Sequence, residues 1–486
     1  MNIFILRIVS IFYLILPNII FSFGWFKWQL AVPVSVGFVL LLIREIQKLN
    51  LDGGFSIAFK DSIFLLILAF AWTLLCGIGG YAYETNDYWA HNARYNDLFH
   101  NKWPIYFAEK DKFACYYFGF FLVPALFSKV IHQLSIPALL FWATLGFGIG
   151  LHWIYVLLNK NKFMLIIFIF VGWFGHPVTV IISRLISADV YSFPFALDIW
   201  SLLLQSANVP NQVIPALICC AILLHDGFVR KTFEDSFFPI TLCFIWTVFP
   251  SVVLVIIFGI VLLHGIIKEK FNPFHKSAFV KFFLPGLLFI PNFIYLLSSN
   301  SVPISGFVWK FTSLPNVIFH LSLSVWLTLL ILYILTLLVR KFDDRYPLWF
   351  TNTLYVLTLV STCFRMGIMN DWATRSTITF IIIITVIVLY GFSKMLETTI
   401  IKPWKLLTYK TLIVIFFLIN HTQFLMNLLQ NNYIVRKIRP DWGTSPKIPF
   451  DKYSSTYEAV KEHCSKVEAD QYLGKKDSVY EMFLSK

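Results

Sequence analysis

The sequence predicts an all-α protein that crosses a membrane about 12–14 times. Three observations carry that prediction. Of the 486 residues, 58% are hydrophobic and only 13% charged, with a mean hydropathy of +0.73, whereas soluble domains carry roughly 25% charged residues. The apolar residues also fall into runs of roughly 20, the length that spans a ~30 Å hydrocarbon core. Finally, the Lys and Arg behind the net charge of +13 gather in short loops between those runs. That is the pattern of a positive-inside bias and gives no reason to expect nucleic acid.

Taken in order, the runs lie at 3–23, 28–43, 63–83, 116–135, 137–158, 163–182, 212–225 and 237–248. They continue at 250–267, 280–298, 319–339, 347–364, 376–394 and 411–427. The first has no small-x-small cleavage site after it and reads as a retained span rather than a signal peptide. In TVFPSVV (247–253) two segments should meet at Pro250, because proline breaks the helical ladder. Arg7 sits in the first run and is expected to snorkel or to lie near its inner end. His176 and His421 read as buried structural residues. The seven cysteines show no CxxC spacing, so neither a disulfide framework nor a zinc site is expected.

The basic loops 44–48, 229–231, 268–276, 339–345 and 402–410 set the cytoplasmic side. Segments 84–115, 183–211, 299–318, 365–375 and the chain from about 428 then fall outside. NKNK (159–162) conflicts with this. Its charge places it inside, yet two full crossings between 116 and 158 would carry it outside. Either one of those runs is re-entrant or the loop breaks the rule. The domain division is a polytopic region over 1–427, carrying the outer loop 84–115, and a small outer appendage over 428–486. The appendage has mixed charge, is turn-rich around 440–449 and is helix-like from Ser454 to about Glu468. It is too short for a large core of its own.

The outer loop holds the sequence's densest polar chemistry, YWAHNARYNDLFHNKWP (88–104). A helix over 85–98 puts Asp87, His91 and Arg94 on one face at i, i+4 and i+7. Asp97 follows one turn on. A carboxylate beside an imidazole suits proton abstraction, or metal binding through oxygen and nitrogen. An arginine nearby suits a phosphate. The plainer readings are a solvated or N-capping Asp87, an Asp97 paired with Lys102 or Arg94, and a solvated Glu84. Two further outer segments match in character. Residues 184–215 carry Arg184, Asp189, Asp198 and the pair Asn211-Gln212. Residues 364–377 carry Arg365, Asn370, Asp371 and Arg375, with Asp371 and Arg375 spaced to pair with each other. Arginines at a membrane face suit a lipid-linked phosphate at headgroup depth.

These elements, in this order, resemble polytopic C-type glycosyltransferases, the GT-C superfamily. The acidic outer loop follows an early span, and after it come "WP" and YYFGFFLVPALFSK (116–129). More closely, the chain resembles a group of uncharacterised bacterial surface-polysaccharide membrane proteins. The shared elements are an HN-containing first loop, VPNQ (209–212), FP (249–250), NDxxxR (370–375) and YLGxxDS (472–478). The resemblance implies a multi-pass protein of the bacterial inner membrane whose first-loop carboxylate is catalytic. Asp87 takes that role by position, with Asp97 next. It also implies donor-phosphate contacts, for which Arg94, Arg365 and Arg375 are candidates. Asn211, Gln212, Asn370 and Asp371 would line the donor and acceptor loops. The superfamily often has paired acids where this chain has Asn86-Asp87, which weakens the case for a metal. A divalent cation, if one is used, would fall to Asp87 and His91.

The implied activity is inverting transfer of a sugar from a polyprenyl-phosphate carrier to a glycan, lipid or protein acceptor, with membrane lipids as the setting. Asp87 would be the general base, assisted by His91. A repeat-unit polysaccharide polymerase uses the same chemistry on a larger donor. A transporter or flippase of lipid-linked glycans is the alternative from another class. Transporters usually place ionisable groups near mid-bilayer and show internal symmetry, whereas here such groups cluster at outer span ends.

Overall fold

A chain in lipid must satisfy its own backbone groups, so its apolar runs become helices. A computed structural model describes residues 1–48, 56–170, 197–397 and 447–486, apart from positions 198, 269, 276, 278, 301–303 and 343, together with 404, 407, 408 and 411. The protein is a mostly helical, multi-pass membrane protein. The expected run 411–427 lies outside the described residues except at its first position, as does the second half of 163–182. His176, Arg184, Asp189, Asp198 and His421 are outside them too.

The first half of the chain holds α1 (Ile3–Trp25), α2 (Trp28–Gln47), α3 (Phe59–Leu75) and the polar α4 (Tyr88–His100). It continues through α5 (Gly119–Val130), α6 (Ile136–Leu157), α7 (Lys162–Ile169), α8 (Leu202–Asn208) and α9 (Pro210–Leu224). The second half holds α10 (Phe237–Cys243), α11 (Phe249–Lys268), α12 (Leu284–Leu297), α13 (Leu314–Leu321), α14 (Leu327–Val339), α15 (Leu348–Thr362) and α16 (Asp371–Glu397). Two short tail helices follow, α17 (Thr456–His463) and α18 (Lys466–Asp470). Among the described residues, eight helices are long and apolar enough to cross a membrane. They are α1, α2, α6, α9 extended to Val229, α11, α12 extended back to Phe279, the joined α13–α14 and α16. The shorter α3 and α15, of 17 and 15 residues, run between the same two ends.

One end collects the basic loops. Arg7 is buried there and bonds Glu45 at 2.8 Å, Asp226 at 2.6 Å and the Asp235 carbonyl at 2.8 Å. Lys48 and Lys281 reach Asp235 at 3.2 and 3.0 Å, and Arg230 reaches Asp226 at 3.3 Å. Arg7 therefore does not snorkel. Its charge is held inside the protein by acids from α2 and from the segment after α9.

NKNK joins this same end. Lys160 donates to the Ser56 carbonyl, and Arg345 donates to Leu157 O and Asn159 Oδ1. The conflict over its side is answered by α5, whose 12 residues are too few to span a membrane. Its last turn is tied back to the polar loop by Lys129, which donates to Phe99 O at 2.8 Å and Asn101 O at 2.7 Å. The start of α5 is met inside the protein by a second interrupted segment. The Gly119 N–H donates to Ile245 O at 2.8 Å, and a Cβ at Gly119 would lie 2.9 Å from that oxygen. Residue 245 sits in the gap between α10 and α11, so the run 237–248 ends as a seven-residue helix. The break falls just before the expected one, and Pro250 sits at the start of α11, where a missing N–H is harmless.

The other end carries the polar loop and the tail. Two-stranded ribbons stiffen it, β1 (Tyr106–Phe107) with β2 (Lys112–Phe113) and β3 (Ser305–Phe307) with β4 (Phe364–Met366). The described tail residues 447–486 are woven into this end. Bridges join Leu473 to Ala114, Gly474 to Ser299 and Ser485 to Phe26. The expected helix from Ser454 to Glu468 is broken into α17 and α18, each begun by a serine, Ser455 or Ser465, that accepts from the glutamate N–H three residues on.

Candidate functional site

Asp87 stands at the N-cap of α4, yet its side chain makes no capping bond. Instead its Oδ2 lies 3.0 Å from Arg375 Nη2. The Asp87 side chain keeps 35% of its surface exposed while that of Arg375 keeps 10%, so the carboxylate is the half of the pair that water and ligands can reach. Arg375 lies one turn into α16. Its Nη1 donates to Gln205 Oε1 at 3.4 Å, and its guanidinium sits 5.4 Å from the Trp200 ring. The ion pair of Arg375 goes to Asp87 and not to its own helical neighbour Asp371. Asp371 opens α16, with its carboxylate against Gly367 in a turn where Gly367 has φ +83°. Asn370, buried with φ +63°, accepts from the Ala373 N–H at 3.4 Å and so closes the start of the same helix.

On the same face of α4, His91 is buried and committed. Its Nε2 lies 2.8 Å from Asn208 O, which can only accept, so this nitrogen holds the proton. The other nitrogen, Nδ1, accepts from Arg94 Nη1 at 3.3 Å. Burial, and then the Arg94 charge, pushes the imidazole down to about 4. A neutral ring with both nitrogens engaged has no lone pair for a proton or a metal, and the expected assistance to Asp87 is corrected on that ground. Among the described residues no three His, Cys, Asp or Glu converge on one point.

Arg94 is 1% exposed. Its guanidinium stacks on Tyr116 at 3.8 Å and lies 5.2 Å from the Tyr472 ring. Among the described residues, its Nε and Nη2 have no hydrogen-bond partner. Tyr116 is in turn stacked on Tyr117 and Tyr472. Gln212 Nε2 donates to the Tyr117 hydroxyl at 2.8 Å, and Gln212 Oε1 accepts from Thr247 at 3.1 Å. Its neighbour Asn211 is fully buried, and neither amide atom has a hydrogen-bond partner among the described residues. Arg365 lies in β4, donates to Ile368 O at 2.7 Å and sits over Phe311. It is held by its own hairpin, and the arginine that meets Asp87 is Arg375.

Asp97 belongs to a different contact. Its Oδ2 accepts from the Thr456 N–H at 2.7 Å and from the Thr456 hydroxyl at 2.5 Å, not from Lys102 or Arg94. Burial outweighs these bonds and pushes the carboxyl up to about 6. Glu84, expected in water, is also buried. It accepts from Asn92 at 3.1 Å and from the Ile448 N–H at 2.7 Å, and burial raises its carboxyl.

Six stretches thus meet at one point: α4, residues 116–117, α8, the start of α9, the start of α16 and Tyr472. Tyr116, Tyr117 and Tyr472 were visible only as parts of quoted elements, and Gln205 and Trp200 carried no signal. A cleft of about 480 Å³ opens at the far end of α4, lined by Asn96, Phe99, His100, Lys447 and Phe450 among others, and Asp87, His91, Arg94 and Arg375 lie outside it. No family model, curated protein or solved structure matches this chain.

Proposed function

We propose that this protein is a membrane glycosyltransferase of the GT-C type. It moves a sugar from a polyprenyl-phosphate carrier to an acceptor hydroxyl, with inversion, on the side of the membrane that carries the polar loop. The observation that carries this reading is the pair Asp87–Arg375. A reactive carboxylate, not used to cap its own helix, is held against an arginine at the rim of the spans. Lipid-tethered and aqueous reactants can meet only at such a rim.

In the reaction, the acceptor oxygen attacks the anomeric carbon while the bond from that carbon to the phosphate oxygen breaks. Asp87 takes the acceptor proton. The leaving lipid phosphate gains negative charge, and Arg375, with the buried Arg94 behind it, stabilises that charge. Arg375 uses Nη1 and Nη2 on Gln205 and Asp87, and its Nε, without a partner among the described residues, is the donor left for the phosphate. As that contact strengthens, the hold on Asp87 weakens and frees the carboxylate to act as base. No step uses His91, whose two ring nitrogens are engaged by Asn208 and Arg94.

The test is consumption of a polyprenyl-phosphate sugar by the purified protein in lipid. Asp87→Asn should lower turnover by roughly 10²–10⁴ in a protein that still folds, with a lower thermal midpoint because Arg375 loses its charge partner, and a fully active Asn variant would remove Asp87 from the chemistry. Supplying a lipid-linked repeat unit in place of a single lipid-linked sugar separates a polymerase from a transferase.

A further inference from the structure

Helix α4 has two faces. One presents Asp87, His91 and Arg94 to Arg375, Asn208 and Tyr116. The other is gripped along its length by the tail. Asn86 donates to His463 O at 3.4 Å. Trp89 stacks on the His463 ring at 3.6 Å with planes 6° apart. Asn92 donates to Ile448 O at 2.9 Å, while Glu84 accepts the Ile448 N–H. Asp97 takes both donors of Thr456, placing a carboxylate at the N-terminus of α17, where the helix dipole favours it.

Successive helix positions are about 100° apart, so a rotation of α4 by one residue would swing Asp87 away from Arg375. Contacts at 89, 92 and 97 are spread over about two turns of the helix, with Asn86 held just ahead of it, and oppose that rotation. Within the described residues, Asp97 and Glu84 are the two carboxylates that tie this face of α4 to the tail.

We infer that Asp97 is a positioning residue, which, through Thr456, locks the tail onto α4 and so fixes the rotation that aims Asp87 at Arg375. The inference rests on the proposed glycosyl transfer for its catalytic consequence, but its structural consequence stands without it. A substrate contact at Asp97 is not part of it.

Hydrogen exchange on the full-length protein in nanodiscs, with no substrate added, reads the rotation lock directly. Asp97→Ala should speed exchange of the amides of residues 88–91, two turns from the substitution, on the order of tenfold. Asp97→Asn keeps an oxygen for both Thr456 donors and should restore protection. If Asp97→Ala does not fold, Thr456→Val, which removes only the hydroxyl donor, should give a smaller rise at the same amides. Wild-type exchange in both variants overturns the inference.

In the transfer assay with a polyprenyl-phosphate sugar, Asp97→Asn should turn over like wild type and Asp97→Ala should lose kcat. Loss of transfer in Asp97→Asn with α4 still protected would make Asp97 a catalytic group and overturn its positioning role. Wild-type protein inert toward the sugar sinks the glycosyltransferase reading and leaves the exchange result to judge the lock.

Discussion

Arg94 carries a full charge that, among the described residues, meets aromatic rings and an imidazole but no carboxylate within bonding distance. A buried ion without a partner destabilises the fold that holds it. Arg94→Met, similar in length and apolar, should therefore leave the thermal midpoint of the empty protein unchanged or raise it, while raising the KM for the lipid-phosphate donor. A midpoint that falls together with unchanged donor affinity would make Arg94 a packing residue. Asp97 allows a prediction in pH. Its folded carboxyl keeps its proton up to about 6, against an ordinary 3.8, because burial and Glu109 outweigh Arg94 and the Thr456 bonds. Its contribution to stability is therefore present below about pH 4 and lost as pH rises through 6, amounting to about 3 kcal/mol at most. His91, pushed down to about 4, slopes the opposite way over the same range, with stability lost as pH falls below 6.5. The difference between wild type and Asp97→Asn isolates the carboxyl. In melts between pH 4 and 7, the variant's advantage should grow with pH, and a constant difference would refute the shift.

At the scale of elements, the apolar run 116–135 is long enough to cross and does not. Its hydropathy is that of a span, but Pro124 lies in its middle, and Lys129 is claimed by the carbonyls of 99 and 101. Topology follows from those bonds, so the turns on either side of α6 must lie on opposite faces of the membrane. Single cysteines at exposed Lys102 and His132 should react with an impermeant thiol reagent from one side, and one at Lys160 from the other, in a background where Cys464 is serine. Labelling of His132→Cys from the side of Lys160→Cys would restore a full crossing. Gln212 is the second such joint, since it links Tyr117 to Thr247 across two interrupted segments. Gln212→Leu leaves both hydroxyls buried with one fewer partner and should destabilise the protein by about 1–3 kcal/mol, measured by thermal or denaturant melts.

Over the whole molecule, the two ends are built by different means. The basic end is an ionic lattice, in which Arg7→Met would take the nearest cation from Asp226 and Glu45, leaving them Arg230 and Lys48, and should destabilise by up to about 3–5 kcal/mol. Pairing it with Asp226→Leu should recover part of that loss in the same melt. Much of this architecture was legible in the sequence, because span length, charge bias and the α4 face are local patterns. The alignment of Asp87, His91 and Arg94 needed only helical spacing. What stayed hidden was long-range. Asp87 and Arg375 are 288 residues apart and Asp97 and Thr456 are 359 apart, and no periodicity reports a partner at such a distance. The same blindness made Glu84 look solvated, Asp97 look catalytic and the tail look like an appendage. That tail has a consequence in time. Ribosomes deliver Asp87 early, Arg375 much later and residues 447–486 after every span described here. A nascent chain can therefore insert all of those helices and still lack the grip on α4. The bonds from Asp97 to Thr456, and with them the hold inferred for Asp87, can form only once translation has passed Thr456.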